Sequence, residues 1–420
     1  MIYIYRFITN LFYPILILLI FLRKFLNKED KIRYKEKIFP SFFSIDTEYK
    51  KKLIWFHAAS IGEVQSILPL IFKLNKKRKL EFLITTVTLS SGNLIKKKIQ
   101  NLENIRHRYF PLDINFLAKI FLKKWKPNLV LFVDSEVWPN FLFEIKKAKI
   151  PSVLINGRVT EKTFNRWMVV KNFAKEIFNT FDLCLASSKR SKNLLKKLNA
   201  KNLKYFGNIK LASIIDKNNI KVNNNFFPKN KFWCAASTHA GEELLCLKAH
   251  MNLKKKIRNL ITIIIPRHIH RSNEIKKVSE RLNLTTQILN DGDKIVAGKE
   301  ILIINSFGIL LSFFKYSKSV FIGKSFIKKL KSVSGQNPIE AAKLGCKIYH
   351  GPFVYNFQEI YDLFKSLKIS EKITNELELS EKLYRDFKTP KKNTDKISKN
   401  LDFLGKKILE KSVKEIDKIL

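Results

Sequence analysis

The residues of this chain that are able to do chemistry are a few carboxylates, small residues and cations placed where apolar runs give way to polar ones. HAASIGEVQSILPLI, residues 57–71, follows the apolar run LIWF. Its small residues Ala58, Ala59, Ser60 and Gly62 let the backbone approach a ligand closely, and Glu63 then falls at or near a helix N-terminus. A carboxylate so placed deprotonates a hydroxyl if its surroundings raise its proton affinity and hold it within reach. Ser60 and Glu63 also stand in the S-x-x-E relation of a capping box, so the pair reads equally as a helix start. A second group, Asp134, Ser135, Glu136, Trp138 and Pro139, follows LVLFV. Neighbouring carboxylates raise each other's proton affinity, which calls for a cationic partner or ligand. INGRVTEK supplies Asn156 and Arg158. The structural alternative has Asp134 capping the next helix and Glu136 ion-paired with Arg158.

Later segments offer anion chemistry. AASTHAGEE, residues 235–243, brings Ser237, Thr238 and Gly241 to another helix start, where hydroxyls and free N–H groups favour negative charge. In PRHIHR, Arg267 is suited to paired hydrogen bonds with a phosphate, and His268 stands beside it. His268 and His270 alternate along the chain, so in an extended segment they point apart and make a poor metal pair. In SGQNPIEAA, Ser334 and Gly335 precede Asn337, Pro338 and Glu340, whose carboxylate is placed to grip ribose hydroxyls. Cys184, Cys234, Cys246 and Cys346 are widely spaced and show no metal-ligand pattern, so free buried thiols are expected and no cofactor is called for.

Something must position these residues, and the hydrophobic pattern says what. Short apolar runs (LIWFH, EFLITTV, LVLFV, SVLIN, DLCLA, then FWCAAS, LITIIIP, EILIIN, SVFIG, CKIYHG) alternate with longer amphipathic stretches, the rhythm of parallel strands joined by crossover helices. Two successive open α/β sheets account for 420 residues better than one. In such sheets ligands bind beyond the carboxyl ends of strands, where all the candidates above fall. The expected division is a membrane anchor at 1–30, an α/β domain at 31–213, an Asn-rich linker at 214–230, a second α/β domain at 231–380 and a helical tail at 381–420.

The 80 Lys and Arg against 36 Asp and Glu give a net charge of +44, which favours an anionic partner without choosing among membrane, nucleic acid and phosphorylated substrate. No nucleic-acid recognition motif is legible, so no nucleic-acid partner is expected. Residues 7–22 are uncharged and apolar, with Arg23, Lys24, Lys28, Lys31 and Arg33 behind them and no small-residue cleavage site. This predicts a retained anchor with its basic flank in the cytoplasm, either a single short span or a helix lying in the interface.

HAASIGE, DSEVWPN with INGRVTEK, FGNIKLA, AASTHAGEE, PRH, SGQNPIEAA and HGPFVYNFQEI, spread over residues 55–360, together resemble the transferases of 3-deoxy-D-manno-octulosonic acid (Kdo) in lipid A biosynthesis. The resemblance implies a GT-B fold, two Rossmann-like domains facing a central cleft. It also implies CMP-Kdo as donor, a lipid A precursor (lipid IVA) as acceptor, inner-membrane location and metal-free inverting transfer. By the same resemblance Glu63 is the general base and Glu136 a second functional carboxylate. Ser237, Thr238, Arg267, His268, Ser325, Gly335, Asn337 and Glu340 would serve the donor, and His57, Ser60, Gly62 and Arg158 the acceptor. Three departures stand out. Gly323-Lys324-Ser325 replaces a Gly-Gly-Ser pattern, Ser334-Gly335-Gln336-Asn337 replaces Gly-Gly-His-Asn, and Ile309 stands where an acidic residue often follows the glycine. Other expectations compatible with the residues are a GT-B transferase using a different sugar nucleotide and lipid, or a basic, membrane-associated nucleic-acid binder.

Overall fold

A computed structural model describes residues 1–43, 51–77, 80–215, 231–306, 308–389 and 394–420. The expected linker lies almost wholly outside them. The chain forms two compact units, Met1–Ser213 with Leu404–Leu420, and Ile214–Phe403.

The first unit holds seven strands: β1 Leu53–His57, β2 Glu81–Thr86, β3 Ile105–Tyr109, β4 Leu129–Val133, β5 Ser152–Gly157, β6 Leu183–Ala186 and β7 Leu203–Tyr205. Their order is β3-β2-β1-β4-β5-β6-β7, and every pairing is parallel. β1 and β4 are buried throughout, as their unbroken apolar sequences require of strands covered by helices on both faces. The order reverses between β1 and β4, so a crevice opens beyond the carboxyl ends of these two strands.

The second unit repeats the plan with β8 Lys231–Thr238, β9 Leu260–Pro266, β10 Thr286–Leu289, β11 Ile301–Ile304, β12 Ser319–Ile322, β13 Lys347–His350 and β14 Ser370–Lys372. The order is β10-β11-β9-β8-β12-β13-β14, again all parallel, and its switch point lies between β8 and β12. The α/β class and the doubled Rossmann-like sheet are therefore as the apolar runs predict. The four cysteines are buried.

Two features need more than strand patterning. The N-terminal segment is not one helix but two, Ile2–Leu11 and Tyr13–Phe25, bent by 52°. Pro14 explains the break, because it has no N–H for the carbonyl four residues back and its ring crowds that carbonyl. Among the described residues no single helix is long and apolar enough to cross a membrane, although this bent pair passes that test of length and composition together. The expected anchor is therefore a bent pair of helices and not one continuous helix. At the other terminus the helix Thr394–Asp417 belongs to the first unit from Leu404 onward. Gly405 lies so close to Leu211 that a Cβ would sit 2.2 Å from its carbonyl oxygen, and Lys73 pairs with Glu410 at 3.0 Å.

Candidate active site

At the switch point of the first sheet, β1 ends in His57 and the chain turns through Ala58–Ser60 into the helix Ile61–Lys77. Glu63 Oε2 accepts the Ala59 N–H at 2.8 Å, Oε1 accepts the Ser60 hydroxyl at 2.8 Å, and Ser60 Oγ accepts the Glu63 N–H at 3.4 Å. The capping geometry is thus present. It does not exclude acid–base work, since burial first, and the charges of Asp134 and Glu136 second, raise the Glu63 pKa from 4.5 to about 7. Hydrogen bonds from Ser60 and Ala59 oppose the rise without cancelling it. Gly62 is exposed beside this turn, and a Cβ there would meet nothing within 4 Å.

The two acidic residues after β4 have different surroundings. Asp134, at φ +57°, is buried; its carboxylate accepts a short hydrogen bond from Asn156 Nδ2 and pairs with Lys210 Nζ at 2.6 Å. Burial alone would lift its pKa, but Lys210, Arg158 and these hydrogen bonds more than offset that and hold it below the ordinary value. Asn156, itself at φ +54°, also accepts the Ile209 N–H at 3.1 Å, so one amide ties β5 to the Lys210 turn. Glu136 belongs to an aromatic network instead. Trp138 Nε1 donates to Glu136 Oε2 at 2.9 Å, and His57 Nε2 lies 3.2 Å from the same oxygen. Thr85 Oγ1 accepts the Trp55 Nε1–H at 2.9 Å and lies 3.0 Å from His57 Nδ1. The Thr85 hydroxyl also reaches Phe56 O at 3.5 Å, so Thr85 holds the His57 ring from behind in either tautomer, and Nε2 faces Glu136. Trp138 Nε1 also lies 3.2 Å from His57 Nε2, but its single N–H is better spent on the nearer carboxylate. His57 stacks on Phe110, with centroids 3.9 Å apart. Glu136 accordingly pairs with His57 and Trp138, not with Arg158 as the structural alternative supposed. The Arg158 Nε–H is buried without a hydrogen-bond partner among the described residues.

In the second unit the switch point carries the anion candidates. Ser237 (φ +55°) and Lys324 (φ +56°) end β8 and follow β12 in the left-handed conformation. Thr238 is fully buried, and its hydroxyl has no partner among the described residues. Arg267 and His268 are exposed just beyond β9, and the His268 ring lies 5.6 Å from that of His239 and 5.7 Å from that of His270. Burial and surrounding positive charge, including Arg267 and Lys324, lower the pKa of both His239 and His268. Such accumulated charge is favourable only toward an anion.

Glu242 organises the loop after β12. Its carboxylate accepts the N–H groups of His239 (3.0 Å), Lys324 (2.7 Å), Ser325 (2.8 Å) and Phe326 (2.9 Å). Gly323 packs so tightly against β8 that a Cβ would stand 2.6 Å from Ser237 O and Thr238 Cα. Ser325 is fully buried, donating to Ile322 O at 2.7 Å and accepting the Gly351 N–H at 2.9 Å. Its hydroxyl and the loop's amides are spent inside the fold. Gly335 (φ +86°) donates its N–H to Lys324 O at 2.7 Å, Asn337 accepts the Ile339 N–H at 3.1 Å, and burial raises the Glu340 pKa. Ser334, one of the departures, accepts the Tyr355 N–H at 3.1 Å and so has a structural use.

Sequence reasoning missed Lys210, Thr85, His239 and Glu242. His239 and Glu242 lie inside a motif and were open to notice. Lys210 lies inside FGNIKLA but is one of 80 basic residues, so its pairing with Asp134 has no mark in the sequence, and Thr85 lies within an apolar strand.

A model of the 3-deoxy-D-manno-octulosonic-acid transferase (kdotransferase) family matches residues 33–213. The 3-deoxy-D-manno-octulosonic acid transferase of Rickettsia bellii is 32% identical over 354 residues, 83% of this chain and 82% of that protein. This chain belongs to the 3-deoxy-D-manno-octulosonic acid transferase family. The Kdo transferase of Haemophilus influenzae is 28% identical over 73% of this chain and 72% of its own length. Among solved structures, a UDP-N-acetylglucosamine 2-epimerase from Listeria monocytogenes covers 88% of this chain and 97% of its own, with a TM-score of 0.61 at 12% identity. A glycosyltransferase from Rickettsia africae covers 88% and 99%, with a TM-score of 0.55 at 13% identity. These likenesses show the GT-B type of fold for the Kdo transferase family chain.

Proposed function

We propose that this protein transfers Kdo from CMP-Kdo to a glucosamine hydroxyl of a lipid A precursor, with inversion and without a metal. The observation that carries the catalytic part is Glu63, a carboxylate at a small-residue turn whose pKa of about 7 suits it to take a proton near neutral pH. Glu63 removes the acceptor hydroxyl proton, the oxygen attacks the anomeric carbon of Kdo, and the bond to the CMP phosphate breaks. Asp134 and Glu136 maintain the proton affinity of Glu63 electrostatically. His57 and Trp138 fix Glu136, while Ser60, Gly62 and Arg158 border the acceptor. The basic cluster of Arg267, His268 and His239 stabilises charge on the departing phosphate, with Ser237 and Thr238 beside it and Asn337 and Glu340 directed to the nucleotide. Among the described residues no group of three or more His, Cys, Asp or Glu is arranged to hold a metal ion.

The bent N-terminal pair supports a location at the inner membrane, on the cytoplasmic side. Tyr3, Phe7, Leu11, Ile15, Leu18 and Leu22 are exposed, and Arg23, Lys24, Lys28 and Lys31 follow. This combination suits a helix pair lying in the lipid interface better than a straight span. Salt extraction of membranes tests it: a hydrophobically held protein stays at high salt, whereas a purely electrostatic binder washes off. Transfer itself is tested by mixing the protein with CMP-Kdo and the acceptor and measuring product mass.

A further inference from the structure

The first helix is bonded into the first unit at a point directly behind the proposed catalytic network. Tyr5 donates its hydroxyl proton to Asp113 Oδ2 at 2.8 Å, and Arg6 pairs with Glu144 at 2.6 Å. Asn140 Nδ2 lies 3.3 Å from Thr9 Oγ1. Asp113 is almost wholly buried, and the same carboxylate accepts the N–H groups of Asn140 (3.2 Å) and Phe141 (3.1 Å). Those N–H groups open the helix Pro139–Lys147, which starts at the residue after Trp138. The segment carrying Asp113 also carries Phe110, whose ring lies 3.9 Å from His57, 5.4 Å from Trp138 and 4.7 Å from Phe141. One side of this knot is therefore the first helix, and the other holds the rings that orient Glu136.

The helix is amphipathic in an unusual sense. Its polar or hydrogen-bonding residues Tyr5, Arg6 and Thr9 face the protein, and Tyr3, Ile4, Phe7, Ile8 and Leu11 are exposed. A segment that served only as a tether would not need a hydrogen bond to a buried carboxylate at a helix start.

We propose that Tyr5 is a positioning residue for the transfer reaction: through Asp113 and the start of the helix Pro139–Lys147 it holds the Glu136–Trp138 turn in register with His57. The N-terminal pair is then part of the catalytic scaffold, and its removal disturbs the site as well as membrane attachment. This inference rests on the transfer reading given above.

The test uses the full chain in detergent micelles, comparing wild type, Tyr5→Phe and Tyr5→Phe/Arg6→Gln, with Tyr3→Phe as control on the exposed face. Steady-state kinetics with CMP-Kdo and hydrogen exchange of backbone amides are both measured. The expected result is a fall in kcat of about tenfold for Tyr5→Phe and more for the double variant, since small misplacements of catalytic groups are costly. The KM for CMP-Kdo stays within about twofold of wild type, because the donor candidates lie in the other unit. Exchange quickens in peptides covering residues 134–141 and stays unchanged in β8 and β12, and Tyr3→Phe behaves as wild type. Wild-type kcat in both Tyr5 variants overturns the proposal. So does exchange that quickens throughout the chain with kcat following the folded fraction, which reduces Tyr5 to general stability. If wild type itself transfers no Kdo, the transfer reading fails, and exchange at 134–141 still reports whether Tyr5 holds that turn.

Discussion

Glu63 shows how one residue serves both folding and chemistry. Its folded pKa of about 7 lies above the 4.5 of an exposed glutamate, so the folded chain keeps this proton where the unfolded chain has lost it. Stability from this group therefore declines as pH climbs from 4.5 to about 7, while the basic form needed for proton abstraction grows over the same window. Two expectations follow at this scale. The kcat should rise about tenfold per unit on the acid side of pH 7 and level off above it; a profile flat from pH 5 to 8 would remove Glu63 as the base. Glu63→Gln should lose about 10²- to 10⁴-fold in kcat while its Tm at pH 8 does not drop, because the amide removes a charge that is costly to bury. Near-normal turnover in that variant would leave Glu63 as a helix cap alone. Lys210 makes the complementary case. It is the ion-pair partner of buried Asp134, so Lys210→Met should cost about 3–5 kcal/mol in denaturant unfolding by stranding the carboxylate, and a loss under 1 kcal/mol would contradict the pairing.

At the scale of elements, what positions chemistry is how strands end. Asp134, Asn156, Ser237 and Lys324 sit at or just beyond the ends of β4, β5, β8 and β12 with φ between +54° and +57°, turning the chain sharply toward each crevice. Lys324 takes this conformation without being glycine, at a strain of roughly 1–2 kcal/mol. Lys324→Gly should therefore raise stability by about 1 kcal/mol in thermal unfolding, yet weaken CMP-Kdo binding, more at low salt than at high, if its charge faces the donor. Equal affinities at both salt concentrations would separate Lys324 from the donor. The strand runs were legible because parallel strands buried on both faces must be continuously apolar, and the strand-end motifs fell where that pattern places them. The broken anchor was less so: Pro14 is visible, but a proline near a helix start and one that interrupts a helix look alike until the preceding turn is known to be helical. The glycine-bearing motif around Ser325 suggests a donor contact. The hydrogen bonds of Ser325 to Ile322 and Gly351 depend on strands brought together from far along the chain.

Over the whole molecule, the return of residues Leu404–Leu420 to the first unit is what sequence order conceals. An amphipathic helix after a second α/β repeat carries no mark of which sheet it covers, and only the close approach at Gly405 and the ion pairs of Glu410 and Glu415 decide it. The net charge of +44 is likewise ambiguous by itself, and gains meaning from the basic flank of the N-terminal pair and the cationic cluster beyond β8 and β9. Family membership, the two switch-point crevices and the raised pKa of Glu63 converge on one reaction. Its most direct test is to incubate the full-length protein with CMP-Kdo and tetraacylated lipid A precursor and to determine the product by mass spectrometry. The predicted result is acceptor increased by the mass of one or more Kdo residues, with CMP released, by wild type but not by Glu63→Gln. Unmodified acceptor from folded, membrane-competent wild-type protein would contradict it.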